Sequence, residues 1–417
     1  MKSKIQNPKS KIVVVGAGPA GASLAIRLAK KGFDVCLIER EAFPRHKLCG
    51  EFISPECLRH FRDLDVFDEM LSRGGDRIIE TIFYEPNGKS VSIPSEWFGG
   101  GASGALSLSR AEMDFRLLKR AEQIGVDVLE ETSVVGISLE NDEIRNVKIK
   151  SADGETREIV ADLFVDATGR AGVLTKLFEK EISRKGGKTN YELRITNYEK
   201  FQSPKSKIRN RLVGFKTHLE NANLEKGRCE IYFFRGGYGG LSFVENNRAN
   251  HCFLIRADVV REFGGDANQI VEKLIFKNKR ARETMRNAAP VFDWLAVSVD
   301  GFGRKNLSPA VNLLTCGDAA AFIDPFTGSG MLMALESAEI LAQAITENTP
   351  QSIAENYKTA HRRKFQNRLR VCSILRRAVF VPNFAKFAIS ALNLSARARE
   401  ILARSTRQNF PAAANKP

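Results

Sequence analysis

The stretch Lys11-Ile-Val-Val-Val15-Gly16-Ala-Gly18-Pro19-Ala20-Gly21 runs from a short β-branched segment into glycines spaced G-x-G-x-x-G, and a helical pattern follows to Lys31. This order of strand, glycine turn and helix has a physical logic. Gly16 permits a tight turn, Gly18 leaves room for a pyrophosphate against the backbone, and Gly21 lets the helix pack closely on the strand. Pro19 and Ala20 open the helix, whose unpaired N–H groups and positive dipole end face the phosphates. A second apolar run, Val35-Cys-Leu-Ile38, ends at Glu39-Arg40, with the acid where hydrogen bonding to an adenosine ribose is expected. An acid there disfavours a 2′-phosphate. The pattern predicts a Rossmann-type site for FAD or NAD, and it does not choose between them because both carry the same ADP half.

Outward from this motif, 417 residues suffice for two or three domains or for a discontinuous two-domain arrangement. Residues 1–10, with Lys2, Lys4 and Lys9, read as a solvated leader, and no apolar run approaches the roughly 20 residues of a membrane span. The seven cysteines contain no CxxC pair, so neither a metal site nor a disulfide framework is expected, and a reducing cytoplasm is the simplest compartment. The net charge of +15 comes without a basic recognition motif interleaved with aromatics, so nucleic acid is not an expected partner. From His361 to Arg407 there are twelve Lys or Arg against one acid, Glu400, in a helical pattern. That segment reads either as a helical layer with a solvated basic face or as a peripheral contact with an anionic membrane surface.

Two further glycine segments narrow the choice. Asn312-Leu-Leu-Thr-Cys316 leads into Gly317-Asp318, then Asp324-Pro-Phe-Thr-Gly328-Ser329-Gly330-Met331 and a helical stretch. Asp162-Leu-Phe-Val-Asp166-Ala-Thr-Gly169-Arg170 is another strand closing on a glycine. Together these segments resemble the flavoproteins of the p-hydroxybenzoate hydroxylase fold, the superfamily of geranylgeranyl reductases, aromatic hydroxylases and flavin-dependent halogenases. The resemblance implies non-covalent FAD, with Asp318 on the ribityl chain and Gly328, Gly330 and Met331 presenting backbone N–H groups to the flavin. Asp318 as a helix N-cap is the plain alternative, and Asp324 divides evenly between flavin-side and structural roles. Asp166 and Gly169 are separated by Ala-Thr, unlike the hydroxylases' adjacent Asp-Gly, and no second G-x-G-x-x-G exists. NAD(P)H is therefore expected only as a transient electron donor.

The segment Pro44-Arg45-His46-Lys47-Leu-Cys49-Gly50-Glu51 is similar to the basic, cysteine–glycine segment of geranylgeranyl reductases, and Arg110 lies where the family places an arginine against the cofactor. Each has a plainer reading: loop charges at Arg45, His46 and Lys47, a buried filler at Cys49, and an i,i+4 ion pair from Arg110 to Asp114. The family's cavity motif corresponds to 236–245, where only Tyr238 survives. Cys49, His46 and Tyr238 are the proton-donor candidates that the resemblance offers, with Cys49 and Tyr238 the catalytic choices. Halogenase likeness is confined to the Gly50-Glu51 step and the Asp166–Gly169 turn; no lysine occurs from Glu51 to Asn87, and Trp97 and Trp294 are not paired.

The expected architecture is α/β: a Rossmann-type FAD-binding domain (10–76, 99–178, 304–348), interleaved with a β-sheet substrate domain (77–98, 179–303), plus a basic C-terminal helical region (349–417). The expected activity is an FAD-dependent reductase or dehydrogenase acting on a lipophilic or polycyclic small molecule and drawing on an external electron donor. A flavin monooxygenase is the alternative.

Overall fold

The computed structural model describes residues 11–98, 104–186, 211–381 and 383–407; the leader reading of residues 1–10 lies outside them. A five-stranded parallel sheet has the order Leu313–Thr315, Leu163–Asp166, Lys11–Val15, Asp34–Ile38, Asp127–Leu129. Its central strands are buried on both faces, which is why they read as continuous apolar runs rather than alternating ones. Helices Pro19–Ala29 and Gly330–Glu347 cover one face. The meander Ser133–Glu140, Glu143–Lys150 and Thr156–Val160, with helix Val173–Arg184, covers the other. The architecture is thus α/β, with parallel connections made by crossovers.

The second body is an eight-stranded, mainly antiparallel sheet. Its centre is the run of hairpins Leu212–Glu220, Ala249–Arg256, Gly237–Phe243 and Arg228–Phe234, to which Glu80–Tyr84 and Ser90–Pro94 add from far upstream. The runs around 230–234 and 250–255 are therefore strands of one sheet, and the upstream segment joins them. Three helices, Pro350–Val379, Phe384–Asn393 and Ala396–Ser405, complete the chain. The basic C-terminal segment is helical but not wholly solvated. Arg368 is buried on Glu336 (2.9 Å), and His361, Phe365 and Cys372 also turn inward. No helix among the described residues is long and apolar enough to cross a membrane.

Candidate functional site

The parallel strands deliver their carboxyl ends to one edge, where a ligand of an open α/β sheet is expected. Gly16 has φ +102°, and a Cβ there would lie 2.5 Å from the Ala167 carbonyl oxygen; a Cβ on Gly21 would lie 1.8 Å from the carbonyl oxygen of Gly16. Gly18 differs, since its only neighbour would be Arg110 Nη2 at 3.8 Å. The space left open is where a phosphate must approach. The helix beginning at Pro19 has Gly18 as N-cap and no side-chain cap, so its first N–H groups remain available to an anion. Pro19 and Ala20 are buried and contribute through the backbone. Glu39 is nearly buried at the end of its strand and accepts hydrogen bonds from the N–H of Ala17 (2.9 Å) and Glu41 (3.2 Å). Arg40 stays out of this cluster, largely exposed and paired with Glu41.

A lattice of charges borders the cradle. Asp114, fully buried, receives a two-pronged bond from Arg110 (2.8 and 2.6 Å) and a third from Arg45 (3.1 Å), which lies 3.5 Å from Glu39 and over the Phe43 ring. The plain i,i+4 pair of Arg110 thus forms, and the same guanidinium also lies next to Gly18, Cys49 and Asp318. Burial disfavours its charge, but Asp114 outweighs that and holds the group protonated. Asp318 sits in the tight turn Gly317–Ala319, which starts from Cys316 without a side-chain cap, so the capping alternative is not what forms. Burial raises its carboxyl pKa, opposed by Arg110, Lys305, Arg170 and Lys47. An acid facing four cations and free of a local structural job suits a ligand hydroxyl. Asp166 has such a job: it accepts from Thr168 and from Thr175, closing its turn onto the next helix, and leaves Gly169 open.

At the other end, Gly328 (φ +61°), Ser329 and Gly330 lead into the Gly330–Glu347 helix, and a Cβ on Gly330 would meet nothing within 4 Å. Met331 is core, so only its backbone faces this space. Arg407, from the far end of the chain, donates to Ser329 Oγ (3.2 Å) and the Thr327 carbonyl (2.9 Å), fixing the helix start. Nothing in the sequence around Arg407 signals that role. Asp324 caps the N–H of Phe326 (2.9 Å) and accepts the Tyr238 hydroxyl hydrogen (2.9 Å). Burial, reinforced by Asp324, holds the Tyr238 phenol well above its ordinary pKa. Tyr238 therefore ties the antiparallel sheet to the 324–328 turn, and its proton is committed.

A cluster that the sequence reading missed joins the two bodies. Glu51, buried and at φ 54°, accepts from the Arg110 N–H (2.7 Å), from the Lys216 ammonium and from His218 Nε2 (2.8 Å). Lys216, also fully buried, donates to the Lys47 carbonyl (3.0 Å), and Asn250 donates to the Cys49 carbonyl (3.2 Å). Burial favours the neutral Glu51 acid, yet Lys216 and His218 together pull its pKa below the ordinary value. The loop 44–51 is thereby fastened to the strands Leu212–Glu220 and Ala249–Arg256. His46 stacks on Phe292 (4.4 Å) with His218 edge-on (5.2 Å), Cys49 is half-buried and Gly50 is exposed. The signal available in the sequence was the alternation Lys216-Thr-His218, which places both side chains on one face of a strand. Among the described residues His60, Asp63 and Glu339 are close enough to hold an ion, but Arg27 already lies 3.1 Å from His60 and 3.8 Å from Asp63, and Arg59 lies 2.9 Å from Glu339.

FAD fits these residues: an open phosphate approach at Gly18, an uncommitted carboxylate at Asp318, and an open helix start at Gly330. Comparison with known proteins agrees. The flavin-dependent halogenase gsfI of Penicillium aethiopicum is 25% identical over 363 residues, covering 80% of this chain and 64% of that protein. The digeranylgeranylglycerophospholipid reductase of Methanosarcina acetivorans is 27% identical over 346 residues, 81% of this chain and 75% of that one. Among solved structures, a triple mutant of the flavin-dependent brominase Bmp2 superposes with a TM-score of 0.73 at 18% identity, over 96% of both chains. A geranylgeranyl bacteriochlorophyll reductase-like protein of Thermoplasma acidophilum gives 0.70, also at 18% and over 96% of both. Halogenase likeness thus reaches well beyond the two local steps seen in the sequence. By name two of these relatives are flavin-dependent and two are reductases or reductase-like, and with the FAD-binding match this chain is an FAD-dependent oxidoreductase. The model described as FAD binding domain matches residues 9–370, and the chain belongs to that family.

Proposed function

We propose that the enzyme acts on a lipophilic or polycyclic small molecule in the manner of a geranylgeranyl reductase. The observation that carries this is an aromatic cluster beside the 324–330 turn: buried Phe233 and Tyr238 and the partly buried Phe83, Phe326 and Phe380 lie with contacting ring centroids 5.1 to 6.3 Å apart. Such a cluster binds an apolar substrate by burial and ring contact rather than by charge. When bound and reduced, FAD supplies a hydride for one alkene carbon, and the electrons come from an external donor such as NAD(P)H. Burial, with Lys216 and His218, lowers the His46 pKa, so that ring is neutral near pH 7. We therefore assign the proton for the second carbon to Cys49, beside Arg110, and leave Tyr238 as a tie and cluster residue. The domain limits 10–76, 99–178 and 304–348 for the FAD-binding part belong to the same proposal.

A monooxygenase is the second reading, because the same aromatic cluster accepts an aromatic ring. Product mass separates the two: a reductase adds two hydrogens per double bond, whereas a monooxygenase adds one oxygen atom. Recovery of oxygenated product, with the alkene untouched, would overturn the reductase reading.

Peripheral contact with an anionic membrane also belongs to this proposal. The C-terminal helices and the turns between them expose Val381, Phe387, Leu394 and Ile401 among Arg377, Lys386, Arg397 and Arg404. Apolar side chains between cations suit an interface of acyl chains and anionic headgroups.

A further inference from the structure

The long helix Pro350–Val379 treats its cations in two ways. Those turned inward are paired, Lys364 with Glu336 at 3.2 Å and Arg368 with the same carboxylate at 2.9 Å. Arg362 and Arg370 are exposed and form no ion pair among the described residues. With Gln366 and Ser373 they line one side of an open groove of about 670 Å³, and Arg304, from the short strand Gly303–Arg304, enters from the other. The 3–4 residue spacing of 362, 366, 370 and 373 is what sets them along one helix face. Arg304 has a buried Nε without a hydrogen-bond partner. Burial disfavours its charge and Arg362 disfavours it further.

Three guanidinium groups around one groove, with no carboxylate among them, repel one another. An anion with several acceptor oxygens relieves the repulsion and satisfies the orphaned donor. Carboxylate can take two such forks at most, whereas a phosphoryl group offers oxygens to all three. The remaining lining is apolar, Leu369 and the largely exposed Ile374, so the groove has room for carbon beside the phosphate.

We propose that this groove is a binding site for a phosphoryl group, separate from the dinucleotide cradle. Lys305, next to Arg304, turns away to the Arg170 carbonyl, and none of the residues lining the groove borders the cradle. The phosphoryl group is that of a lipid headgroup or of a soluble phosphate ester.

The test uses FAD-loaded protein in two arms. One measures sedimentation with phosphatidylcholine vesicles containing phosphatidic acid, or phosphatidylserine at equal surface charge. The other measures binding of inorganic pyrophosphate by calorimetry. The variants are Arg362→Gln/Arg370→Gln and, as control, Arg363→Gln/Arg282→Gln, which removes two exposed cations that neither line the groove nor belong to the C-terminal apolar–basic surface. All four positions are exposed, and flavin content reports folding. The groove variant should lose at least about tenfold in affinity, the effect of one charge-assisted contact, while the control loses less than half as much on a logarithmic scale. Loss confined to phosphatidic acid vesicles identifies a lipid headgroup, and loss in the pyrophosphate arm identifies a soluble ester. Equal loss in both variants, no preference for phosphatidic acid with no pyrophosphate binding, or no binding by the parent protein to either probe overturns the proposal.

Discussion

Replacing Glu51 by Gln keeps the shape of the side chain and its bond from the Arg110 N–H, but it leaves the Lys216 ammonium buried without a counter-charge. Removing one partner of a buried ion pair costs about 3–5 kcal/mol, whereas replacing both partners by residues of similar volume is far milder. Lys216→Met should be comparably damaging, because it strands the Glu51 carboxylate in the same dry site. The double variant should recover, giving a coupling of at least about 2 kcal/mol between the two positions. At about 1 °C per kcal/mol for a chain of 417 residues, each single variant should melt about 3–6 °C below the parent, and the double should regain most of that. Differential scanning fluorimetry, with flavin fluorescence followed in parallel, reads both unfolding and cofactor release. The pH dependence carries a sign. Glu51 is held below its ordinary value of 4.5, so its contribution is present above that pH and disappears as pH falls through the lower folded value. The parent's lead over Glu51→Gln should persist at pH 5 and vanish only in stronger acid. Additive losses in the double variant, or a lead already gone at pH 5, would refute the reasoning.

Gly18→Glu should yield folded but colourless protein, because the position is sterically open while a carboxylate opposes the phosphates; flavin absorbance after gel filtration is the measurement. Asp318→Ala should weaken FAD binding without lowering the melting temperature of the flavin-free protein, since the carboxylate caps nothing; an unchanged dissociation constant would remove Asp318 from the site. His251 is buried with both ring nitrogens unpaired, and burial takes its pKa down to about 3. A histidine whose folded pKa is lowered stabilises above its unfolded value of 6.5 and loses that contribution as pH falls, by about 2 kcal/mol between pH 7 and 5. His251→Phe should flatten the melting profile over that interval by this amount, and an unaltered slope would contradict it. Phe387→Ser/Leu394→Ser should reduce binding to anionic vesicles tenfold or more, given about 1.5–3 kcal/mol for burying each side chain.

The dinucleotide cradle was legible because its parts are local: Val15 to Gly21 is one strand–turn–helix, and each glycine answers to a clash or an opening within that turn or across to its neighbouring strand. The strand end and tight turn that carry Asp318 were legible for the same reason. Glu51, Lys216 and His218 were not, because 165 residues separate Glu51 from Lys216 and only the docking of loop on sheet brings them together. Tyr238 illustrates a different limit. Its position in the sequence pointed toward the cavity, but its hydroxyl is spoken for by Asp324, a pairing across 86 residues. Arg407 sits at the end of a basic, helical stretch that reads as solvent-facing, and burial against Glu56 and Ser329 came from tertiary packing alone. Truncation after Thr359 would remove Arg368 and Arg407 with the exposed surface, so point changes at Phe387 and Leu394 isolate the surface instead.

The most direct test of the account is anaerobic: purified FAD-loaded protein is reduced, then mixed with a polyprenyl lipid in the absence of oxygen while flavin absorbance is followed by stopped flow. The account predicts return of oxidised flavin on lipid addition, with saturated product formed in proportion. Flavin that stays reduced with every alkene offered, and reoxidises only when oxygen is admitted together with formation of oxygenated product, would contradict it.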